Sequence, residues 1–266
     1  MLLNLIDKFF IKKPKFRRAV TALLYRDRDL DVNLCGTDLH INARRENGYL
    51  RASKTTSWNG TLRDEMPVLV NLMALFQDGD TFVDVGANVG LYTHTFARLR
   101  NLYPAFTIDA FEPHPSTFAR LSFRDIPGVT FHNFGIGERN ETLEFVDGAV
   151  SHVFTRNDKA NSYNISSEKM QVEIKRLDDV SIGSGSLIIK IDVEGQEASV
   201  IAGAQQLFEA NRIKAVYLDG YDDVGIHEVL TKYGFELHCG RTFQPVTDMV
   251  FSLLAIHRGF LPTAAS

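Results

Sequence analysis

Two apolar periodicities alternate along this chain, and together they predict an α/β fold. Short β-branched and aromatic runs of strand length recur at 81–85, 106–111, 128–134, 187–193 and 213–218. Between them, apolar residues fall at helical spacing: Val89, Tyr92, Phe96 and Leu99, then Phe118 and Leu121, then Val200, Ile201 and Leu207, then the stretch 226–233. Strands alternating with helices build a mostly parallel sheet with helices on its faces. The alternation breaks at 142–146, 152–154 and 171–175, where apolar and polar residues alternate one by one, predicting an inserted antiparallel β layer at one edge. The Asn- and Ser-rich loop 156–169 within it is the candidate lid. At the end, 235–238 and 249–257 predict an antiparallel pair, so the last strand runs against the others.

Ahead of this domain, 31–34 and 38–42 alternate around Gly36 and predict a hairpin, and 62–76 predicts a helix ended by Asp78-Gly79-Asp80. The first residues interleave Leu2, Leu3, Leu5, Ile6, Phe9 and Phe10 with Asp7 and Lys8, before Lys12, Lys13, Lys15, Arg17 and Arg18. That is the pattern of a short basic amphipathic helix. We divide the chain into an N-terminal extension, 1–60, and a ligand-binding α/β domain, 61–260. The extension helix has two readings: packing on its own domain or on a second copy in a homo-oligomer, or weak peripheral contact of 1–18 with an anionic membrane surface. Arg44, Arg45, Tyr49, Arg51, Lys54 and Trp58 form either a face for a polar substrate or a solvated face.

Composition narrows the class. At 266 residues, 44% hydrophobic and 23% charged, the chain reads as an ordinary globular protein. A net charge of −4 and a pI of 6.1 provide no global field for nucleic acid. Cys35 and Cys239 suggest neither a disulfide framework nor a zinc site, which fits a reducing compartment. Asp7 and Lys8 break the apolar start, and no run approaches the roughly 20 residues of a membrane span. A cytoplasmic protein is expected, with the inner membrane face as the alternative.

The chemistry centres on 81–93, TFVDVGANVGLYT, a strand running directly into a helix through a turn that holds Gly86 and Gly90. It matches neither the G-x-G-x-x-G dinucleotide pattern nor a phosphate loop, which needs a lysine after the last glycine. Asp84 stands at the strand end instead. A carboxylate there repels pyrophosphate and suits a cationic group such as the α-ammonium of S-adenosylmethionine. Glu112 closes the next strand, at the spacing where a nucleotide-binding βαβ unit places an acid on the ribose hydroxyls. The strand 187–193 carries Lys190 and Asp192 on one face, and a buried lysine requires an anion beside it.

Three segments, FVDVGANVGLYT, FEPHPSTFARL and IIKIDVEGQEASVIAG, resemble the main blocks of the FkbM-type methyltransferases, over roughly 65–257. The resemblance implies a Rossmann-like class I methyltransferase sheet. It implies an S-adenosylmethionine-dependent O-methyltransferase acting on a hydroxyl of a sugar, glycolipid, polysaccharide or polyketide-like acceptor. In that family pattern Asp84, Gly86, Asn88 and Gly90 hold the methionine part of the cofactor, Glu112 the ribose, and the Gly135-Ile136 turn the adenine, and Asp192 is counted with these cofactor residues. The chain departs at Asp219, where members commonly carry a glutamate.

For an alcohol acceptor, alignment of oxygen, methyl and sulfur supplies much of the catalysis, and a base must take the proton. Asp192 and Glu194 are expected nearest the methyl position, with Lys190 pairing Asp192, which makes Asp192 an orienting group and Glu194 the proton acceptor. His114 is a weaker candidate, expected at the surface. In a metal variant, Asp192 and Asp219 hold Mg²⁺. Two rival classes share parts of the pattern: a non-catalytic S-adenosylmethionine-binding protein and a dinucleotide-dependent oxidoreductase.

Overall fold

The computed structural model describes residues 19–20, 23–54, 60–146, 153–154 and 169–260. The amphipathic segment 1–18, Trp58, His152 and the candidate lid apart from Lys169 lie outside the described residues. The chain forms two compact units, Met1–Met66 and Pro67–Ser266.

In the first unit, β1 (Asp29–Leu34) and β2 (Thr37–Asn42) pair antiparallel and are followed by α1 (Asn47–Lys54). Val32, Leu34, Leu39 and Ile41 fill its interior. The Asn42 side chain accepts the Arg44 and Arg45 N–H groups, both at 3.0 Å, and so fixes the turn out of the hairpin. Helix α2 (Gly60–Met73) spans the boundary, which falls just before Pro67.

The second unit is built on β3 (Thr81–Val85), α3 (Leu91–Phe96), β4 (Thr107–Phe111), α4 (Pro115–Leu121) and β5 (Val129–His132). A second sheet holds β6 (Gly135–Ile136), β7 (Glu141–Val146), β8 (Val153–Phe154) and β9 (Lys169–Lys175). The first sheet resumes with β10 (Leu187–Ile191), the helices α5 (Glu197–Ala202) and α6 (Gln205–Glu209), β11 (Ile213–Asp219), α7 (Gly225–Lys232), β12 (Phe235–Cys239) and β13 (Ser252–His257). Its strand order is β12-β13-β11-β10-β3-β4-β5, with β13 antiparallel to both neighbours and all other pairs parallel. This is the Rossmann-like class I arrangement, including the reversed last strand expected from the sequence.

Every residue of β3 and β10 is buried, as strands covered on both faces require. One aromatic group packs Phe76, Phe82, Phe96 and Phe106 edge to face, with Phe82 and Phe96 centroids 4.8 Å apart. Another cluster gathers Val83, Val85, Ile189, Ile191, Val200 and Ile201.

Three details depart from the sequence reading. The expected helix 197–208 is two helices, because Gly203 packs so close to the chain that a Cβ there would lie 2.0 Å from the Gly137 carbonyl oxygen. The Gly135-Ile136 segment is a strand, paired parallel to Ile174 and Lys175, in a sheet otherwise antiparallel. Strand β10 ends at Ile191, and the chain then turns sharply at Glu194 and Gly195, with φ of 46° and 91°. Among the described residues no helix is long and apolar enough to cross a membrane.

Candidate functional site

The sheet changes direction between β3 and β10: β4 and β5 extend it one way, and β11 with its successors the other. Open α/β sheets bind ligands outside the carboxyl ends of the strands at such a point. Here the glycine turn after β3 meets the turn after β10, through the Asp192 N–H donating to the Val85 carbonyl at 3.1 Å. A Cβ on Gly86, whose φ is 74°, would lie 2.0 Å from the Asp192 carbonyl oxygen. Only glycine fits there. Gly90, with φ of 85°, starts α3 and leaves room for His94 and Leu121, each less than 3 Å from where a Cβ would stand.

Lys190 ties the two turns together from below. Its Nζ donates to the Gly86 carbonyl at 2.7 Å, faces Asp84 Oδ1 at 3.2 Å and Asp192 Oδ2 at 3.6 Å, and lies 5.5 Å from the centre of the Tyr92 ring. Burial alone would lower its proton affinity. The charges of Asp84, Asp192 and Asp219 more than offset that and hold its pKa above the usual lysine range. Asp84 is fully buried and also accepts the Thr93 hydroxyl at 2.6 Å. The sequence pairs Lys190 with Asp192; the structure adds Asp84 as the nearer partner, so the Asp84 carboxylate is engaged inside the protein.

Glu112 lies one residue past β4. Its Oε2 accepts the Asn88 N–H at 3.0 Å and its Oε1 the His114 N–H at 2.9 Å. The same carboxyl group thus holds the glycine turn and the start of α4. Burial raises its pKa to about 7, against the lowering effect of those two N–H groups and of Lys190. Beside it, the Asn88 side-chain oxygen is buried without a hydrogen-bond partner.

A cleft opens beside this turn, lined by Gly86, Pro113, Gly135, Ile136, Leu143 and Val193 among others. Of the candidate cofactor residues, Gly86, Gly135 and Ile136 line the cleft, while Asp84, Asn88, Gly90, Glu112 and Asp192 are not among its wall residues. Gly135 and Ile136 reach it because β6 is held against β9 in the inserted sheet.

Asp192 and Glu194 both lie in the turn after β10, with the Asp192 side chain 36% exposed and Glu194 exposed at positive φ. His114 is buried, not at the surface, and caps α4, its Nδ1 accepting the Thr117 N–H at 3.4 Å. Glu197 is a further member of the site that the sequence pattern does not single out. It is buried, accepts the Gly195 N–H with both oxygens at 3.0 and 3.1 Å, and so fixes the turn that carries Asp192 and Glu194. The motif E-G-x-E was its only trace in the sequence.

The donor set fits S-adenosylmethionine in two respects. The Gly86 backbone lines the cleft beside the turn, and the Asn88 oxygen and the Glu112 carboxyl offer buried acceptors to a group rich in N–H and O–H. Among the described residues no group of three or more His, Cys, Asp or Glu gathers as a metal site.

Comparison with known proteins bears on the same residues. The model of the methyltransferase FkbM domain matches residues 84–237. The chain is similar to Methyltransferase 1 of Beauveria bassiana, 29% identical over 154 residues, which is 49% of this chain and 61% of that protein. It is 25% identical over 180 residues to the hexuronic acid methyltransferase AglP of Haloferax volcanii, covering 64% of this chain and 70% of that one. Among solved structures, a TehB-like SAM-dependent methyltransferase of Corynebacterium glutamicum aligns at a TM-score of 0.42 with 12% identity, over 80% of this chain and 97% of that one. A precorrin-6y C5,15-methyltransferase of Geobacter metallireducens aligns at 0.40 with 15% identity, over 77% and 94%. The matched region holds the glycine turn, Glu112 and the Lys190–Gly195 segment and covers more than half of the chain, which belongs to the FkbM-domain methyltransferase family.

Proposed function

We propose that this chain binds S-adenosylmethionine at the β3–β10 switch point and transfers its methyl group to a hydroxyl of a sugar-containing acceptor. The observation that carries the reading is the Glu112 carboxyl, buried at the end of β4 and bonded through the Asn88 N–H to the glycine turn. An ionised carboxylate there accepts the two hydroxyls of a ribose, as in nucleotide-binding βαβ units. When bound, S-adenosylmethionine supplies a methyl group on a positively charged sulfur.

The residues of this chain bind, orient and shield. Gly86 brings its backbone to the cleft for the methionine part, Gly90 makes room for His94 and Leu121 at the start of α3, Asn88 offers its buried oxygen, and Asp84 acts through Lys190, which fixes the Gly86 carbonyl. Gly135 and Ile136 form an apolar wall for the adenine. Asp192 and Glu194, in the turn after β10, meet the acceptor. The sugar class is supported by the likeness to a hexuronic acid methyltransferase. The absence of a three-ligand metal cluster among the described residues leaves Mg²⁺ without support.

Calorimetry with S-adenosylmethionine, NAD and NADP tests the reading. Binding of S-adenosylmethionine alone is expected, weakened in Glu112→Ala by about 1.5–3 kcal/mol, the scale of a hydrogen bond to a charged group. Equal affinity in Glu112→Ala with the fold intact, or preference for a dinucleotide, would sink it.

A further inference from the structure

We infer that the Phe251 ring is a stacking platform for a pyranose ring of the acceptor. This rests on the sugar-acceptor reading above and gives that acceptor a place beside the cofactor cleft. Register across the sheet locates the ring. Ile191 pairs with Leu218, Leu218 with Leu253, and Leu253 with Cys239. Two steps further on, just past the strand ends, Val193, Gly220, Phe251 and Arg241 stand level, following β10, β11, β13 and β12 in that order. The backbone ladder reaches that level, with the Gly220 N–H donating to the Phe251 carbonyl at 2.7 Å and the Gly240 N–H to the Ser252 carbonyl at 2.8 Å. Val193 belongs to the wall of the cofactor cleft. Phe251 therefore lies two strands, about 10 Å, from that wall.

Gly220 leaves the space between them open. Among the described residues, its chain neighbours apart, only the edge of the Phe251 ring comes within 4 Å of where a Gly220 Cβ would stand, at 3.8 and 4.0 Å. The ring itself is held in place. Just before it, the Val250 N–H donates to the Tyr221 hydroxyl at 3.2 Å, and that hydroxyl lies 2.6 Å from His227 Nε2 on α7. The Arg241 guanidinium carbon stands 5.4 Å from the ring centre. Yet Phe251 is 66% exposed, more than any other phenylalanine among the described residues. A ring ordered by its own fold binds without first losing that freedom.

The chemistry around the ring selects its occupant. The face of an aromatic ring is negative and attracts the partly positive C–H bonds that a β-glucopyranose gathers on one side. The hydroxyls of the same sugar project from its edge and need acceptors. Asp219 precedes Gly220 directly, and Asp222 and Asp223 follow it within three residues, both exposed. Covering those carboxylates with a wholly apolar partner would strip them of water without replacing its hydrogen bonds. A sugar ring answers both demands, its C–H face against Phe251 and its hydroxyls toward the acids. Lying over Gly220, it reaches from the aromatic ring back to the cleft wall at Val193, which brings one of its hydroxyls toward the methyl group.

The test uses the full chain saturated with S-adenosylhomocysteine, which fills the cofactor site without reacting, and methyl β-glucoside and methyl β-glucuronide as probes. In saturation-transfer NMR, irradiated aromatic protons of the wild type should pass magnetisation to the axial hydrogens on the C–H face of a probe. In Phe251→Leu that transfer should fade and the probe's dissociation constant rise about fivefold or more. Phe251→Trp keeps an aromatic face and should hold the constant within about threefold of wild type, a rescue that a merely structural role would not give. Calorimetry should show S-adenosylhomocysteine affinity within about threefold of wild type in both variants, since the ring stands apart from the cofactor cleft. Unchanged probe binding in Phe251→Leu, failure of Phe251→Trp to rescue, or a parallel loss of S-adenosylhomocysteine affinity overturns the platform. So does contact with neither probe, and if the wild type still binds S-adenosylhomocysteine the cofactor reading survives. A wild type that does not bind S-adenosylhomocysteine overturns the cofactor reading instead, and probe contact at Phe251 alone then decides the platform.

Discussion

Replacing Lys190 by methionine removes the ammonium that three acceptors share and leaves a side chain of similar length in its place. The site cannot rescue what is left behind. Asp84 is 0% exposed, keeps only the Thr93 hydroxyl at 2.6 Å, and would carry a buried charge without a counterion. Breaking a buried ion pair by removing one partner costs about 3–5 kcal/mol, because the desolvated charge is stranded. The bond to the Gly86 carbonyl, worth about 1.5–3 kcal/mol as a charged hydrogen bond, is lost with the same ammonium, so the two costs overlap. About 3–5 kcal/mol in total is therefore expected for Lys190→Met. The double variant Asp84→Asn with Lys190→Met removes the stranded charge and should recover about 2 kcal/mol or more, a coupling expected only of residues in contact. Asp192→Asn should cost no more than about 1 kcal/mol, because its carboxylate is 36% exposed and 3.6 Å from Lys190. Urea unfolding at pH 7, read as a midpoint change at constant slope, measures all three. A loss below about 1 kcal/mol in Lys190→Met, or no coupling to Asp84, would refute the claim that this lysine locks the two turns together.

Other expected outcomes follow from the same geometry. Cofactor affinity should fall as pH drops below about 7, since a protonated Glu112 loses acceptor capacity toward a diol, and calorimetry from pH 5.5 to 8 should show it; a flat profile removes Glu112 from the ribose site. The linked stability has the opposite sign. With its folded pKa raised from 4.5 to about 7, Glu112 supports the fold fully below 4.5 and loses that support as pH rises through 7, a slope that Glu112→Gln should abolish in urea titrations. Gly86→Ala combines a φ of 74° with a Cβ 2.0 Å from the Asp192 carbonyl oxygen, and should cost at least about 1–3 kcal/mol of stability and abolish cofactor heat; normal binding would show that the turn can shift. Residues 1–18 should confer salt-sensitive sedimentation with anionic vesicles, at about 1 kcal/mol per basic side chain near the surface, compared with a chain starting at 27; equal sedimentation would make the segment structural.

Much of the fold was legible because periodicity reports burial directly. The runs at 81–85 and 213–218 lie in central strands, as does 187–193 up to Ile191, and the antiparallel ending at β13 follows from the same pattern. Relations between strands were not legible. Asp84 and Lys190 face each other because β3 and β10 are neighbours in register, and no local pattern gives that pairing. His114 looked like a surface residue because its capping role depends on how α4 begins, with Pro115 after it and Thr117 turned back toward it. The interrupted helix at Gly203 reflects a close approach to Gly137 across the fold, which a helical spacing of Val200, Ile201 and Leu207 does not register. Asp219 was visible as a strand-end acid, but the hydrogen bond it accepts from the Tyr217 hydroxyl depends on side-chain placement that no spacing gives.

The most direct measurement of the central claim is a crystal structure of the full chain with S-adenosylhomocysteine. The account predicts both ribose hydroxyls within about 2.6–3.0 Å of the Glu112 carboxylate, the adenine against Gly135 and Ile136, and the sulfur facing the turn of Asp192 and the end of β11 at Asp219. Ligand bound elsewhere, or a ribose turned away from Glu112, would contradict it.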